Sequence, residues 1–260
     1  YTGIQTNDQR LAFAQAVCTR SRFNTQQADG QFRRVFAMDP RTAEGHCARF
    51  ALELDDHNQV DKNFTGLRLL AADNPDNPLF HWMIGIQCRD FYRHTFRKDR
   101  SAEGCRAYQR VLELFDVGPV LVHQTFANIL SEELDRNEEA LVQRRIAVEL
   151  EPKAWTYDGM ANTLSAMKNY DEANLAYAKS TELAPNDAEY WLHWSGSLYN
   201  QGRFEDCISK SKTALAIDPG SYLARYYWGT ALEAQAKRKK ALEQYEEAIR
   251  LNPANPDAYV

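Results

Sequence analysis

The sequence predicts an all-α solenoid, which is a stack of repeated pairs of antiparallel helices. Proline recurs in the C-terminal half of the chain at intervals of roughly 34 residues, at Pro152, Pro185, Pro219 and Pro253. Between successive prolines lie two stretches of about 13–15 residues with apolar side chains at i, i+3/i+4 and i+7, as amphipathic helices require. A polar break separates the two stretches of each unit, at 168–169, 201–202 and 237–238. Proline ends each unit because the residue before it is disfavoured in the helical conformation.

The composition is that of an ordinary globular protein. The chain has 260 residues, of which 44% are hydrophobic and 26% charged, and a formal net charge of −5. No stretch approaches the roughly 18 apolar residues that a membrane helix requires, and the most apolar one is 11–18. The mild acidity is not typical of a general nucleic-acid binder, which normally carries an excess of basic residues. We therefore expect neither a membrane span nor a nucleic-acid partner.

The residues of the repeated unit identify a known pattern. The clearest unit has an aromatic and small-residue motif in its first helix, two small residues four apart in its second helix, and a final proline: Trp191, Trp194, Ser195, Leu198, Cys207, Ser211 and Pro219. This unit resembles the tetratricopeptide repeat (TPR), whose pattern is W-x2-L-G-x2-Y, then A-x3-F, then P. The neighbouring units share this register. Where the two helices cross, Ser195 should approach Cys207 and Gly229 should approach Ala241.

The resemblance weakens toward the N-terminus, and about seven units can be counted in all. In the unit that ends near Pro119, the interval between the small residues Gly85 and Gly104 is seven positions longer than the regular interval, such as that from Gly229 to Ala241. We predict degenerate TPR-like repeats over 1–119, with an inserted hairpin near 89–104, and regular repeats continuous with them over 120–260. The resemblance implies a right-handed superhelical solenoid with a concave inner surface.

No motif in the sequence points to catalysis. The phosphate-binding, dinucleotide-binding, nucleophile-elbow and zinc-protease patterns are all missing from it, and its six histidines lack the i, i+4 spacing of a helical metal site. We therefore predict no enzyme activity, no metal and no cofactor. The resemblance implies a protein-protein interaction scaffold that binds a peptide or helix in its groove, as a subunit or assembly factor of a larger complex. Two alternatives are the TPR arm of a larger enzyme, such as a glycosyltransferase, and a cytoplasmic adaptor.

The inward-facing register of the TPR family also implies a set of groove residues. They are Trp155, Asp158, Asn162, Leu192, Tyr199, Asn200, Tyr226, Thr230 and Glu233. Several TPR co-chaperones hold the C-terminal carboxylate of a chaperone with Lys, Arg and Asn at such positions, and here none of them is Lys or Arg. A neutral or basic peptide, stacked on Trp155, Tyr199 and Tyr226, therefore fits better than an anionic one. The same aromatic side chains could equally fill the inside of a tight superhelix.

A basic stretch coincides with the insertion. Residues 89–110 hold seven Lys or Arg and three acidic residues. One interpretation is a projecting arm on which Arg93, Arg97 and Arg100 contact an acidic partner. The other is a solvated helix face with its aromatic residues turned inward.

Four of the five cysteines lie in the degenerate half and could form two disulfides. Cys88 and Cys105 are placed on opposite arms of one hairpin, and Cys18 and Cys47 on the first helices of neighbouring units. Disulfides belong to oxidising compartments, and a chain that begins with Tyr1 is what a cleaved export signal would leave. The prediction is therefore a periplasmic or secreted protein, with Cys207 reduced and buried; a cytoplasmic location is the alternative if the thiols are reduced.

Overall fold

A computed structural model describes residues 12, 16, 25–39, 41–52, 60–95, 98–114 and 120–252. Within this part of the chain the structure has thirteen α-helices and no β-strand, which confirms the predicted all-α class. The helices are α1 (Thr25–Met38), α2 (Ala43–Leu52), α3 (Val60–Asp73), α4 (Pro78–Thr95), α5 (Ser101–Glu113), α6 (Val120–Asn128), α7 (Asn137–Leu150), α8 (Ala154–Ala166), α9 (Tyr170–Leu183), α10 (Ala188–Asn200), α11 (Phe204–Ile217), α12 (Tyr222–Ala234) and α13 (Arg238–Leu251). None of these described helices is both long and apolar enough to cross a membrane.

The chain divides into two compact units, residues 1–136 and 137–260. The first unit contains α1 to α6 and a π-helical turn, Ile129–Glu133, that continues α6. The second unit contains α7 to α13, and α8 to α13 form three successive helical hairpins. The predicted boundary between residues 119 and 120 stays a prediction.

Each hairpin of the second unit is held at the point where its two helices cross. In α10 and α11 the hydroxyl of Ser195 donates to the carbonyl oxygen of Cys207 at 3.0 Å, which confirms the predicted close approach. In α12 and α13 a Cβ added to Gly229 would lie 2.7 Å from the ring of Tyr245, so only glycine leaves room for that ring. The small residues therefore set how closely the two helices of a hairpin can pack.

The turn inside each hairpin of the second unit uses the same backbone conformation. Lys168, Gly202 and Ala236 occupy the same position in successive repeats and have positive φ angles of 61°, 73° and 60°. L-residues with a side chain disfavour this left-handed region, because Cβ comes too close to the following carbonyl oxygen. Only one of the three turns has a glycine at this position, so the other two carry local backbone strain.

In the first unit, α4 and α5 form the lengthened hairpin. The helix α4 has 18 residues, compared with 13 in α8, α10 and α12. A Cβ added to Gly85 would lie 2.7 Å from the Tyr108 ring, and one added to Gly104 would lie 2.8 Å from Cβ of Cys88. The longer hairpin therefore keeps a tyrosine ring packed on a glycine, as in α12 and α13.

The structure does not support the predicted disulfides. Cys47, Cys88 and Cys105 are buried and form no disulfide. Cys88 faces Gly104, and the neighbouring Cys105 points in a different direction because adjacent residues on a helix diverge by about 100°. The Cys47 thiol instead contacts the carbonyl oxygen of Leu79 at 3.8 Å. The proposed partner of Cys47, residue 18, lies outside the described residues.

Burial raises the pKa of the thiols of Cys47 and Cys88 well above the usual value, so both are protonated at neutral pH. Cys207 is also buried and forms no disulfide, and burial likewise raises the pKa of its thiol.

The basic stretch lies partly inside the first unit. Arg89 is only 4% exposed. The guanidinium of Arg100 lies 4.6 Å from the ring centroid of Phe64, a cation–π contact with α3. The side chain of Arg93 and all of Arg97 lie outside the described residues. Contact of Arg93, Arg97 and Arg100 with an acidic partner stays a prediction.

We expect opposite effects from exchanging glycine and alanine at two equivalent turns. Gly202→Ala should lower the free energy of unfolding by about 1 kcal/mol, because a side chain is strained at this φ although the space around it is open. Ala236→Gly should raise the free energy of unfolding by up to about 1 kcal/mol. The reason is that the relief of backbone strain at this positive φ exceeds the extra conformational entropy that glycine loses on folding. Urea unfolding followed by far-UV circular dichroism measures both changes.

The control for this experiment is Ala178→Gly, at an exposed position inside α9. There the same substitution should lower the free energy of unfolding by about 1 kcal/mol, the helix-propensity difference. If Ala236→Gly and Ala178→Gly destabilise equally, the strain attributed to the turn is absent.

Candidate functional site

A cleft of about 350 Å³ lies among the first helices of the three hairpins, α8, α10 and α12. Its lining comes from these helices and from Tyr177 of α9: Asn162, Ser165, Ala166, Tyr177, Leu192, His193, Gly196, Ser197, Asn200, Leu223 and Tyr227. The structure thus brings together three of the residues that the TPR register places in a groove: Asn162, Leu192 and Asn200. The cleft volume is near the lower end of the range for ligand pockets.

Apolar side chains form much of the cleft wall. Leu192, Leu223 and Tyr227 all line it. Tyr227 comes close to the backbone of α10 because residue 196 is a glycine: a Cβ there would lie 3.1 Å from the hydroxyl oxygen of Tyr227. Gly196 therefore leaves space where the equivalent residue of the preceding repeat, Asn162, has a side chain.

The polar groups at the base of the cleft bond to one another. The hydroxyl of Tyr177 donates to Oδ1 of Asn162 at 2.6 Å. The hydroxyl oxygens of Ser165 and Ser197 are 2.7 Å apart, and Nε2 of Gln201 donates to Oγ of Ser197 at 3.2 Å. Burial raises the pKa of the Tyr177 phenol, which stays neutral at physiological pH. These groups therefore have hydrogen-bond partners without a ligand.

A histidine and an aspartate pair at the edge of the cleft. Nδ1 of His193 lies 2.9 Å from Oδ2 of Asp158, which joins α10 to α8. The same oxygen accepts a hydrogen bond from Nδ2 of Asn162 at 3.0 Å. Asp158 as a whole is only 7% exposed. Nε2 of His193 is 3.8 Å from Oε1 of Glu189.

Two opposing effects act on the pKa of His193. Burial alone lowers it, but the hydrogen bond to Asp158 and the negative charges of Asp158, Glu189 and Asp187 together raise it above the usual value. The imidazole is therefore more readily protonated than a free histidine, and the protonated ring and Asp158 form an ion pair.

The other sequence-predicted groove residues pack against their own chain. The ring centroid of Tyr199 is 5.8 Å from that of Phe204, and the ring centroid of Tyr226 is 6.0 Å from that of Tyr245. Glu233 accepts a hydrogen bond from the Tyr245 hydroxyl at 2.8 Å. Trp155 and Thr230 are half-buried, in α8 and α12. The roles of these residues in binding stay predictions.

Sequence reasoning did not place His193, Gly196 or Tyr227 in the groove. The repeat spacing carries the signal for them. His193 and Tyr227 occupy the same position in successive repeats, one residue after Leu192 and Tyr226 of the predicted set. Extending the groove register by that one position would have found both side chains.

The arrangement offers binding surface and carries no catalytic constellation among the described residues. The described contacts of His193 are with carboxylates, so the imidazole has no hydroxyl or thiol nucleophile to activate. Over the described ranges, no group of three or more His, Cys, Asp or Glu side chains could hold a metal ion. What the cleft presents to a ligand is apolar wall, the exposed amide of Asn200 and one histidine.

No protein-family model matches the chain. Among curated proteins, it is 29% identical over 103 residues to the small glutamine-rich tetratricopeptide repeat-containing protein 2 of Mycosarcoma maydis, a match that covers 40% of this chain and 29% of the relative. It is 33% identical over 93 residues to the DnaJ homolog subfamily C member 7 homolog of Schizosaccharomyces pombe, covering 34% of this chain and 18% of that protein. The chain thus spans less than a third of the length of these relatives.

Solved structures of TPR proteins share the fold. A thermophilic TPR protein of Thermus thermophilus superposes with a TM-score of 0.58 at 17% identity, over 74% of this chain and 99% of that one. YrrB, described as a TPR protein with an unusual peptide-binding site, superposes with a TM-score of 0.52 at 18% identity, over 74% and 95%. These likenesses show an all-α TPR solenoid fold.

We expect Asp158→Asn to change how the stability of the protein depends on pH. Because the folded-state pKa of His193 is raised, its contribution to the free energy of unfolding is complete below the usual histidine pKa of about 6.5 and is lost as the pH rises through the folded-state pKa. Between about pH 6 and about pH 9, the free energy of unfolding should fall with rising pH in the wild type, and it should fall less in the variant. Urea unfolding followed by tryptophan fluorescence measures the slope.

The matched control is Asp206→Asn, which removes a carboxylate that lies 2.6 Å from Arg203 on the half-exposed surface of α11. This variant should keep the pH slope of the wild type. Identical slopes in the wild type and Asp158→Asn would contradict a stabilising His193–Asp158 ion pair.

Proposed function

Since the chain is a tetratricopeptide repeat protein, we propose that it is a non-enzymatic interaction scaffold whose second unit binds an extended peptide segment of a protein partner. The observation that carries this proposal is the cleft among α8, α10 and α12. Its polar base is already hydrogen-bonded internally, whereas its walls and the Asn200 amide are open to a ligand. YrrB, which shares the fold, is described as having an unusual peptide-binding site, and this description supports the proposal.

The chemistry of the cleft suits a peptide backbone. An extended peptide presents a donor and an acceptor at each residue, and the Asn200 side chain offers one of each. The side chains of Leu192, Leu223 and Tyr227 can bury an apolar side chain of the same peptide. Lysine and arginine are missing from the described lining, so a free carboxylate would find no permanent cation there. As predicted from the sequence, a neutral or basic peptide is the better ligand.

We also propose that the protein works in a reducing compartment such as the cytoplasm, as part of a larger assembly. Cys47, Cys88, Cys105 and Cys207 are buried and form no disulfide. The predicted periplasmic or secreted location depended on disulfides, which persist in oxidising compartments. Because the structure does not support these disulfides, we favour the cytoplasmic alternative.

Selection from a phage-displayed library of random linear peptides tests the binding site. Peptides that bind the wild type should bind Asn200→Ala at least about fivefold more weakly, because a hydrogen bond is worth about 0.5–1.5 kcal/mol and the amide can make two. Fluorescence anisotropy with the selected peptides, labelled, measures the affinity.

The control substitution is Asn186→Ala, which removes the same side chain from an exposed turn between α9 and α10. This variant should bind like the wild type. If the library yields no binder, or if the selected peptides bind Asn200→Ala as tightly as the wild type, the cleft is not the peptide site.

A further inference from the structure

The charges on the cleft-forming helices are mostly negative. The charged or titratable acidic and basic residues of α8, α10 and α12 are Asp158, Glu189, His193, Arg225 and Glu233. The one arginine of these helices, Arg225, is directed to α13, where its Nη1 donates to Oε1 of Gln244 at 3.0 Å; its guanidinium also lies 5.9 Å from the ring centroid of Trp228 on its own helix. What remains on these three helices is three carboxylates and one imidazole.

The imidazole is the cation that balances this charge from within the cleft. His193 lines the cleft and lies between two carboxylates, with Nδ1 2.9 Å from Asp158 and Nε2 3.8 Å from Glu189. The side chain of Glu189 is 64% exposed, so its carboxylate is accessible to a partner. When the imidazole is neutral, both carboxylates at this edge lose their cationic partner.

We propose that the cleft recognises a peptide segment in which an apolar side chain is next to a lysine or arginine. The apolar side chain enters between Leu192, Leu223 and Tyr227. The cation lies beside Glu189 and pairs with this carboxylate in place of protonated His193. Charge complementarity therefore selects the partner, and the protonation of His193 opposes its binding. This proposal rests on the proposed function and specifies the chemistry of the peptide.

Tyr227 favours the same kind of ligand. Its ring lies against Gly196 and forms part of the cleft wall, so it offers an aromatic surface to both an apolar side chain and a cation. Burial raises the pKa of Tyr227, and the phenol stays neutral up to high pH. The groups that face or lie near His193 are thus the carboxylates of Asp158, Glu189 and Asp187 and the neutral phenols of Tyr177 and Tyr227 in the same cleft. Between about pH 5.5 and about pH 8.5, His193 is the member of this set that changes charge.

Three labelled peptides of equal length test the proposal, each with one leucine flanked by lysines, by serines or by glutamates. Fluorescence anisotropy at constant ionic strength should show that the lysine peptide binds most tightly and the glutamate peptide most weakly. Raising the pH from about 5.5 to about 8.5 should tighten binding of the lysine peptide by about fivefold, the size expected from removing one positive charge at the edge of a half-exposed cleft. Added salt should reduce this preference for the lysine peptide because it screens the charges.

Two variants separate the roles of the charged residues. His193→Gln should bind the lysine peptide with an affinity that no longer changes over this pH range. Glu189→Gln, at an exposed position where folding is not at risk, should weaken binding of the lysine peptide and leave the serine peptide unchanged. Glu205→Gln removes an exposed carboxylate of α11 and is the control, which should match the wild type.

The possible failures are distinguishable. If the serine or glutamate peptide binds as tightly as the lysine peptide, and Asn200→Ala weakens that binding, the cleft is a peptide site but selection of cations is overturned. A wild-type affinity for the lysine peptide that is the same at both pH values overturns the role of His193. If the folded protein binds neither these peptides nor any from the random library, the proposed function itself fails.

Discussion

The close crossing of two helices within each hairpin is the constraint on which the second unit depends. At the crossing of α12 and α13 the ring of Tyr245 fills the space left by Gly229. At the crossing of α10 and α11 a serine stands in place of that ring, and the hydroxyl oxygens of Ser195 and Ser211 lie 2.7 Å apart in the buried interior. Both arrangements keep the helices close, one through an aromatic ring and the other through a hydrogen bond.

The cleft follows from this regular crossing. Because each hairpin has the same internal geometry, residues about 34 positions apart lie side by side on α8, α10 and α12. Asp158 and His193 meet in this way, as do Gly196 and Tyr227. The spacing of the repeats therefore places an ion pair and an aromatic wall next to each other without any specialised loop.

The fold could be predicted because its signals are local and repeated, whereas the rotation of individual side chains could not. Proline spacing and small residues at the crossings are visible in the sequence, and the contact of Ser195 with Cys207 confirmed them. The predicted disulfides find no support, because the position of a residue along a hairpin does not show that Cys88 faces Gly104 instead of Cys105. Asn200 was found from the register, but the role of His193 depends on a carboxylate 35 residues away and needed the structure.

Stacked aromatic rings connect the base of the cleft to a tryptophan. The ring centroids of Tyr177 and Trp194 are 6.4 Å apart with planes inclined by 14°, and the indole N–H of Trp194 donates to Oδ1 of Asn174 at 2.9 Å. Since the Tyr177 hydroxyl ends at the base of the cleft, a ligand that disturbs the base also disturbs the surroundings of this indole. A change at the base of the cleft therefore reaches Trp194 through the ring of Tyr177, and because Trp191 stacks on Trp194 at 6.1 Å, a Trp194→Phe variant is needed to assign a change in fluorescence to this indole.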